Sequence, residues 1–155
     1  MNIHLVAIGT KMAPWVESGY AEYARRLPAE CALRLHPLKL HHRGKGADIQ
    51  RLLRREGEDI LAATPKGARR VALEVKGKGY TTPQLAQRLE QWLQGGCDVA
   101  LWVGGPDGID PQVSRQADEL WSLSPLTLPH PLVRVLVAEQ LYRSWSLLQG
   151  HPYHR

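Results

Sequence analysis

The chain has little that would suit a membrane or an oxidising compartment. It carries two cysteines, Cys31 and Cys97, in 155 residues, too few for a disulfide scaffold or a four-cysteine zinc site. Both are expected to be buried or inert thiols of a cytoplasmic protein. No apolar run approaches the roughly 18 residues of a membrane-spanning helix, and the most tempting stretch, Leu132–Ala138, is interrupted by Arg134. No basic lead precedes the apolar Ile3–Ile8, since Lys11 follows it, which argues against a secretory signal. Repeats, low-complexity segments and long linkers are also missing. So are several catalytic signatures. There is no H-E-x-x-H and no Cys-x-x-Cys for zinc, no G-x-S-x-G elbow for a serine nucleophile, and no P-loop. Zinc chemistry therefore has little support, and hydrolase chemistry is a poor expectation.

What is present describes a folded domain. At 43% apolar and 23% charged residues the chain is neither disordered nor membranous, and its length is that of one domain spanning residues 1–155. The net charge of +5 is unevenly placed. Residues 1–80 hold 15 Lys and Arg against 8 Asp and Glu, whereas residues 81–155 hold 5 against 7. A basic half fits a polyanionic partner, because neutralising phosphates releases counterions.

Strand-like and helix-like segments alternate. Ile3–Gly9 reads as a buried strand, Pro14 to about Leu27 as a helix stopped by Pro28, and Leu33–Leu40 as a half-polar strand. Ile49, Leu52, Leu53, Ile60 and Leu61 recur at helical spacing. Arg70–Val75 is another good strand, and a helix follows with Thr82 as cap, Pro83 in its first turn and Gly95-Gly96 past its end. The continuous apolar run Val99–Val103 belongs inside a sheet covered on both faces. Asp110-Pro111 opens another helix, Leu120–Leu123 is a short strand, and Pro131 starts a helix to about Leu148. The pattern predicts an α/β fold with a mainly parallel sheet flanked by helices.

In such sheets, ligands bind beyond the carboxyl ends of the strands. Three strand exits stand out: Glu74–Tyr80 with Gly77 and Gly79, Gly104–Gly108, and the proline-stiffened Ser122–Pro131. Their convergence predicts a small-molecule pocket. The Glu74, Asp107 and Asp110 carboxylates lie near these loops, where acids often cap helices instead. His41–Gly46 is the most basic spot of the chain and reads as a mobile loop. Helix 131–148 is apolar on most of its circumference, so part of its surface is expected to meet a second subunit. Within it Glu139 and Arg143 have ion-pair spacing. Arg134 must be paired or aimed at a ligand, because burying it alone is costly. The tail His151-Pro152-Tyr153-His154-Arg155 suits stacking on a base, contacting phosphate and moving a proton near neutral pH.

Taken together, Gly9-Thr10-Lys11-Met12, Arg43-Gly44-Lys45, Val99–Val103 running into Gly104-Gly105-Pro106-Asp107-Gly108, Leu126–Pro131, Ala138–Arg143 and the closing His151–Arg155 resemble the family of small bacterial 23S rRNA (pseudouridine-N3) methyltransferases of the SPOUT superfamily. The resemblance runs over the whole chain and departs only in lacking the glutamate that follows the final arginine. It implies S-adenosylmethionine as cofactor, an α/β knot with a C-terminal trefoil, and a homodimer acting on 23S rRNA in assembled ribosomes. By position it implies that Leu73, Gly104, Leu123, Ser124, Pro125, Leu126, Thr127 and Leu128 hold the cofactor, chiefly through backbone groups. The candidates for positioning the base and moving its proton are then His130, Tyr153, His154 and Arg155, and those for RNA contact are Arg43, Lys45, Arg134 and Arg143. A SPOUT enzyme acting on another RNA, such as a tRNA, and a noncatalytic RNA- or ribosome-binding module are the alternatives. Calorimetry with S-adenosylmethionine separates the last of these, which should not bind it.

Overall fold

Ile3, Leu5 and Ala7 of strand β1 (Asn2–Ile8) join one buried cluster while Val6 and Ile8 join another, so the chain begins with a strand that must be covered on both faces. The computed structural model, which describes residues Met1–Arg155, supplies that cover. Helix α1 (Pro14–Ala24) follows β1, then β2 (Ala32–Leu38), α2 (Ile49–Ala63), β3 (Arg69–Gly79), α3 (Thr82–Gly95), β4 (Val99–Val103), the single turn α4 (Pro111–Ser114), β5 (Glu119–Ser122) and α5 (His130–Leu148). The five strands form one sheet in the order β2-β1-β4-β3-β5, every pair parallel. The expected α/β class with a parallel sheet and flanking helices is what the chain adopts. No helix is long and apolar enough to cross a membrane.

The larger core lies between the sheet and the face bearing α1, α3 and α5, with Leu85, Leu89, Trp92, Val133, Val137 and Leu141 against Leu5 and Leu101. The smaller core packs Ile60 of α2 and Val113 of α4 onto Val6, Ile8 and Trp102. Trp102 is fully buried, and its indole N–H donates to Thr64 Oγ1 at 2.9 Å, so the largest side chain of the central strand enters the core with its one donor satisfied.

Local details differ from the sequence expectation for identifiable reasons. The cap of α3 is Thr81, not Thr82. Its hydroxyl accepts from Gln84 N–H while Gln84 Oε1 accepts from Thr81 N–H, and this reciprocal pair decides between two adjacent threonines. Helix α1 stops at Ala24, and residues 25–27 continue as a tighter turn in which Arg26 and Leu27 N–H donate to carbonyls three residues back. Cys31 is buried, and burial pushes its thiol up to about 11. Cys97, expected to be buried or inert, is exposed after α3. Helix α5 takes most of its apolar girth into its own chain. It packs against α1 and α3, and none of the large exposed apolar side chains belongs to it.

At the amino end of the sheet Asp98 Oδ1 accepts from Asn2 N–H and Oδ2 lies 2.9 Å from His4 Nε2, while His4 Nδ1 meets His36 Nε2 at 2.9 Å. With the carboxylate taking the His4 Nε2 proton, His4 Nδ1 is left to accept from His36. Burial, then the neighbouring His4 and Arg34, hold the His36 pKa below its ordinary value. The unfolded chain therefore binds this proton at a pH where the folded chain does not, and stability should fall as pH drops through about 6.5. Thermal unfolding is expected to show a level Tm above pH 7 and a decline below about pH 6.5. His36→Gln should lessen that decline, and an undiminished one would remove His36 as its cause.

Candidate functional site

All strands of a parallel sheet end on the same edge, so the exits of β3, β4 and β5 meet there. They enclose a cavity of about 980 Å3, large enough for an organic cofactor. β3 contributes Leu73–Lys76, β4 the turn Gly104–Gly108, the segment after β5 contributes Leu123, Ser124 and Leu126–Pro129, and His130 and Val133 of α5 close it.

Each wall has a local cause. In β3 both Leu73 and Lys78 stand opposite Trp121, so residues 74–77 leave the ladder as a bulge and carry Glu74, Val75 and Lys76 to the cavity. Gly77 serves this bulge. A Cβ there would lie 2.7 Å from the backbone of Leu120 and Trp121, so glycine permits the close strand approach. Gly104 is held by its own turn, since a Cβ would lie 2.4 Å from the Gly108 carbonyl group. Gly104→Ala is expected to cost about 1–3 kcal/mol by overpacking, because backbone cannot step aside cheaply. Urea unfolding checks this, and parental stability would mean that the turn relaxes freely.

The segment after β5 is unusual in its hydrogen bonding. Ser122 Oγ donates to Ser124 O at 2.9 Å and Leu126 N–H donates to Ser124 Oγ at 3.0 Å. No backbone group from residue 123 to 128 pairs with another backbone group. Apart from Ser124 O and Leu126 N–H, which serine hydroxyls meet, the amides and carbonyls of this segment have no partner within the chain and are open to solvent or a ligand.

Seven of the eight positions expected to hold a cofactor line this one cavity: Leu73, Gly104, Leu123, Ser124, Leu126, Thr127 and Leu128. Pro125 lies instead on a smaller adjoining pocket beside Gly79–Thr81. His130 also lines the cavity. Burial, then Arg134 and Arg43, hold its pKa below the ordinary value, so its ring is neutral at pH 7. No group of three His, Cys, Asp or Glu side chains is placed to hold a metal ion.

The basic residues expected to meet RNA divide sharply. Arg43 spends its donors within the fold. Nη1 and Nη2 donate to the two Glu56 oxygens at 2.6 and 2.9 Å, Nη1 also to His41 O, and Nε to Asp107 Oδ2 at 2.8 Å. It ties the basic loop and the buried Glu56 of α2 to the cavity turn. Arg134 is 2% exposed and donates to the carbonyls of Ile8 and Gly9 at 3.1 and 2.5 Å, while its Nε has no partner. Burial lowers its pKa. Arg143 forms the expected ion pair, with Nε and Nη2 donating to Glu139 Oε1 at 2.9 and 2.5 Å. Only Lys45 is exposed and makes no ion pair.

The tail does not enter the cavity of its own chain. It forms a 3-10 turn over Pro152–His154. The Tyr153 ring stacks on Tyr142 with centroids 4.7 Å apart, and its hydroxyl donates to Glu139 Oε1 at 3.1 Å. Burial, then Glu139, push that hydroxyl up to about 12. His154 Nδ1 donates to His151 O at 2.7 Å, and Arg155 is exposed. Tyr142 lies about 18 Å along α5 from His130, at 1.5 Å per residue, so the tail packs on the middle and later part of a helix whose first turn closes the cavity.

Sequence reading missed Glu56, Ser114 and Arg115. Glu56 had a signal, since it falls on the buried face of α2 with Gly57 and Ile60, and a carboxylate there calls for a partner. Ser114 and Arg115 reach the cavity only through the tertiary placement of α4 and had none.

A family model described as predicted SPOUT methyltransferase matches residues 1–154. A protein of Stutzerimonas stutzeri (strain A1501), named ribosomal RNA large subunit methyltransferase H, is 55% identical, with all of both chains covered. Proteins of the same name from Thioalkalivibrio sulfidiphilus and Azotobacter vinelandii are 54% and 55% identical, over the whole of this chain and 99% and 100% of theirs. A chain from a structural study of the 2-OH methylation of C/U34 on tRNA is similar in fold, with a TM-score of 0.50 and 20% identity over 97% of this chain and 98% of that one.

Proposed function

The chain belongs to the SPOUT methyltransferase family, and from that premise we propose that it methylates N3 of a pseudouridine in 23S rRNA with S-adenosylmethionine as donor. The observation that carries this reading is the single cavity in which seven expected cofactor positions and His130 meet. The full-length identity of about 55% to proteins named as large-subunit rRNA methyltransferases supports the RNA class. A base nitrogen of tRNA is disfavoured by the same names.

The residues fit the cofactor. Leucines 73, 123, 126 and 128 offer apolar surface to an adenine, and the unpaired backbone groups of 123–128 offer donors and acceptors to its edge. When bound, S-adenosylmethionine supplies a methyl group on a sulfonium, which a base nitrogen takes directly without a protein nucleophile. The chain's own tasks are to align the base, exclude water and receive the N3 proton. His130, neutral and on the cavity wall, is the candidate acceptor within this chain; His154 is the candidate from the tail.

The tail and cavity of one chain lie apart, so Tyr153, His154 and Arg155 serve a cavity only if a second chain brings them. We therefore read the working form as a homodimer in which each tail completes the neighbouring site. The C-terminal trefoil knot, a cytoplasmic location and assembled ribosomes as substrate belong to the same reading. Lys45 is the phosphate contact of the basic loop. Mass mapping of large-subunit rRNA from a deletion strain tests the proposal. An unmethylated pseudouridine, restored by the gene, is expected; unchanged rRNA methylation would overturn it.

A further inference from the structure

Two carboxylates line the cavity, Asp107 and Glu74, and they are in different states. Asp107 is spent on the Arg43 guanidinium at 2.8 Å. Glu74 is half-buried, with no cation within ion-pair reach. One of its oxygens, Oε1, accepts from Ser114 Oγ, and the other has no donor. The bulge of β3 carries this side chain out of the ladder to the cavity wall. A carboxylate on a cavity wall, held by one hydroxyl and open on its second oxygen, is arranged for a ligand that donates hydrogen bonds.

Strand order says which part of the ligand that is. The segment after β5 presents the apolar surface and free backbone groups that suit the adenine, and His130 and the turn after β4 lie toward the basic loops. The exit of β3 stands between them in the order β2-β1-β4-β3-β5. In an adenosyl sulfonium the group between adenine and sulfur is the ribose. We propose that Glu74, steadied by Ser114, is a binding residue that takes the ribose 2′ and 3′ hydroxyls and makes the site specific for adenosyl ligands with an intact diol. A carboxylate at a strand exit accepting a vicinal diol is chemistry other parallel sheets use. The proposal rests on the reading that the cavity takes S-adenosylmethionine.

Calorimetry on the full chain tests it with three probes: S-adenosylhomocysteine, its analogue lacking both ribose hydroxyls, and 5′-methylthioadenosine, which keeps the ribose but lacks the amino acid. Glu74→Gln should weaken S-adenosylhomocysteine and methylthioadenosine alike, by about 10- to 100-fold, and leave the dideoxy analogue little changed. Wild type should prefer S-adenosylhomocysteine to the dideoxy analogue by a similar factor, a comparison that holds even if the variant folds poorly. Equal losses on all three probes would overturn the assignment. A loss shared by S-adenosylhomocysteine and its dideoxy analogue but spared by methylthioadenosine would also overturn it, by assigning Glu74 to the amino group. Wild type that binds none of the three would overturn the cofactor reading itself, and this inference with it.

Discussion

Removing residues 151–155 is expected to lower the single-turnover methylation rate on ribosomes by at least about a hundredfold, with S-adenosylhomocysteine affinity changed by no more than about twofold. The tail lines no part of its own cavity, so cofactor binding has nothing to lose directly. The fold loses the stack of Tyr153 on Tyr142 and its donor to Glu139, the edge contact of His151 with Trp145, and the bonds from His151 N–H to Ser146 O and from Arg143 to His154 O, all of them on the outer side of α5. Glu139 keeps Arg143. What disappears is a tail of two histidines, a tyrosine and an arginine, the residue types that could hold a base and move its proton. Single-turnover assays with saturating enzyme decide the point, and equal rates for the two forms would remove the tail from the chemistry. Mixing the truncated chain with a full-length chain disabled at Gly104 adds a second check. Because the two defects then sit in different chains, one sound cavity can meet one sound tail, and activity should reappear. Continued inactivity of a confirmed mixed dimer would refute completion by the neighbour.

Arg43→Ala is expected to destabilise the protein by about 3–5 kcal/mol, the usual cost of leaving one member of a buried ion pair alone. Glu56 is 2% exposed, and without Arg43 its carboxylate keeps only the His41 N–H at 3.2 Å. The cavity turn loses its tie through Asp107 in the same stroke. Urea unfolding measures the loss, and replacing both partners by Arg43→Met with Glu56→Leu should recover much of it. Parental stability of Arg43→Ala would show that water reaches Glu56. Lys45→Ala is the useful contrast. Exposed and unpaired, Lys45 should change stability by no more than about 0.5 kcal/mol while reducing the slope of log affinity for RNA against log salt by about 0.7–0.9. A double change at Arg43 and Lys45 would confound the two effects, since weakened RNA binding would then follow from a loosened fold.

These contrasts mark where sequence reasoning stopped. Strand and helix positions were legible because apolar runs and proline–glycine punctuation are local signals. The cavity was legible because parallel strands send their exits to one edge, whatever lies between them. What arginine side chains do was not. Arg43, Lys45, Arg134 and Arg143 look alike as letters, yet one is clamped by two carboxylates, one is free, one is buried on backbone carbonyls and one is paired along its own helix. Only the last follows from spacing. The others depend on what α2, β1 and the cavity turn bring near them. The position of the tail was illegible for a related reason. Its composition suggested chemistry, but Tyr142 and Glu139 hold it against the middle of α5, outside the cavity.

The strand order also bears on how the protein is made. β1 and β2 pair with each other early, but the inner neighbour of β1 is β4, whose last residue, Val103, emerges 95 residues after Ile8. At about 5–20 residues per second, the apolar inner edge of β1 waits roughly 5–20 seconds on a nascent chain before its proper strand arrives. An unpaired edge of this kind is an invitation to wrong pairing. Slow synthesis, which prolongs that interval, should therefore raise the misfolded fraction, and a holdase that shields residues 2–8 should lower it.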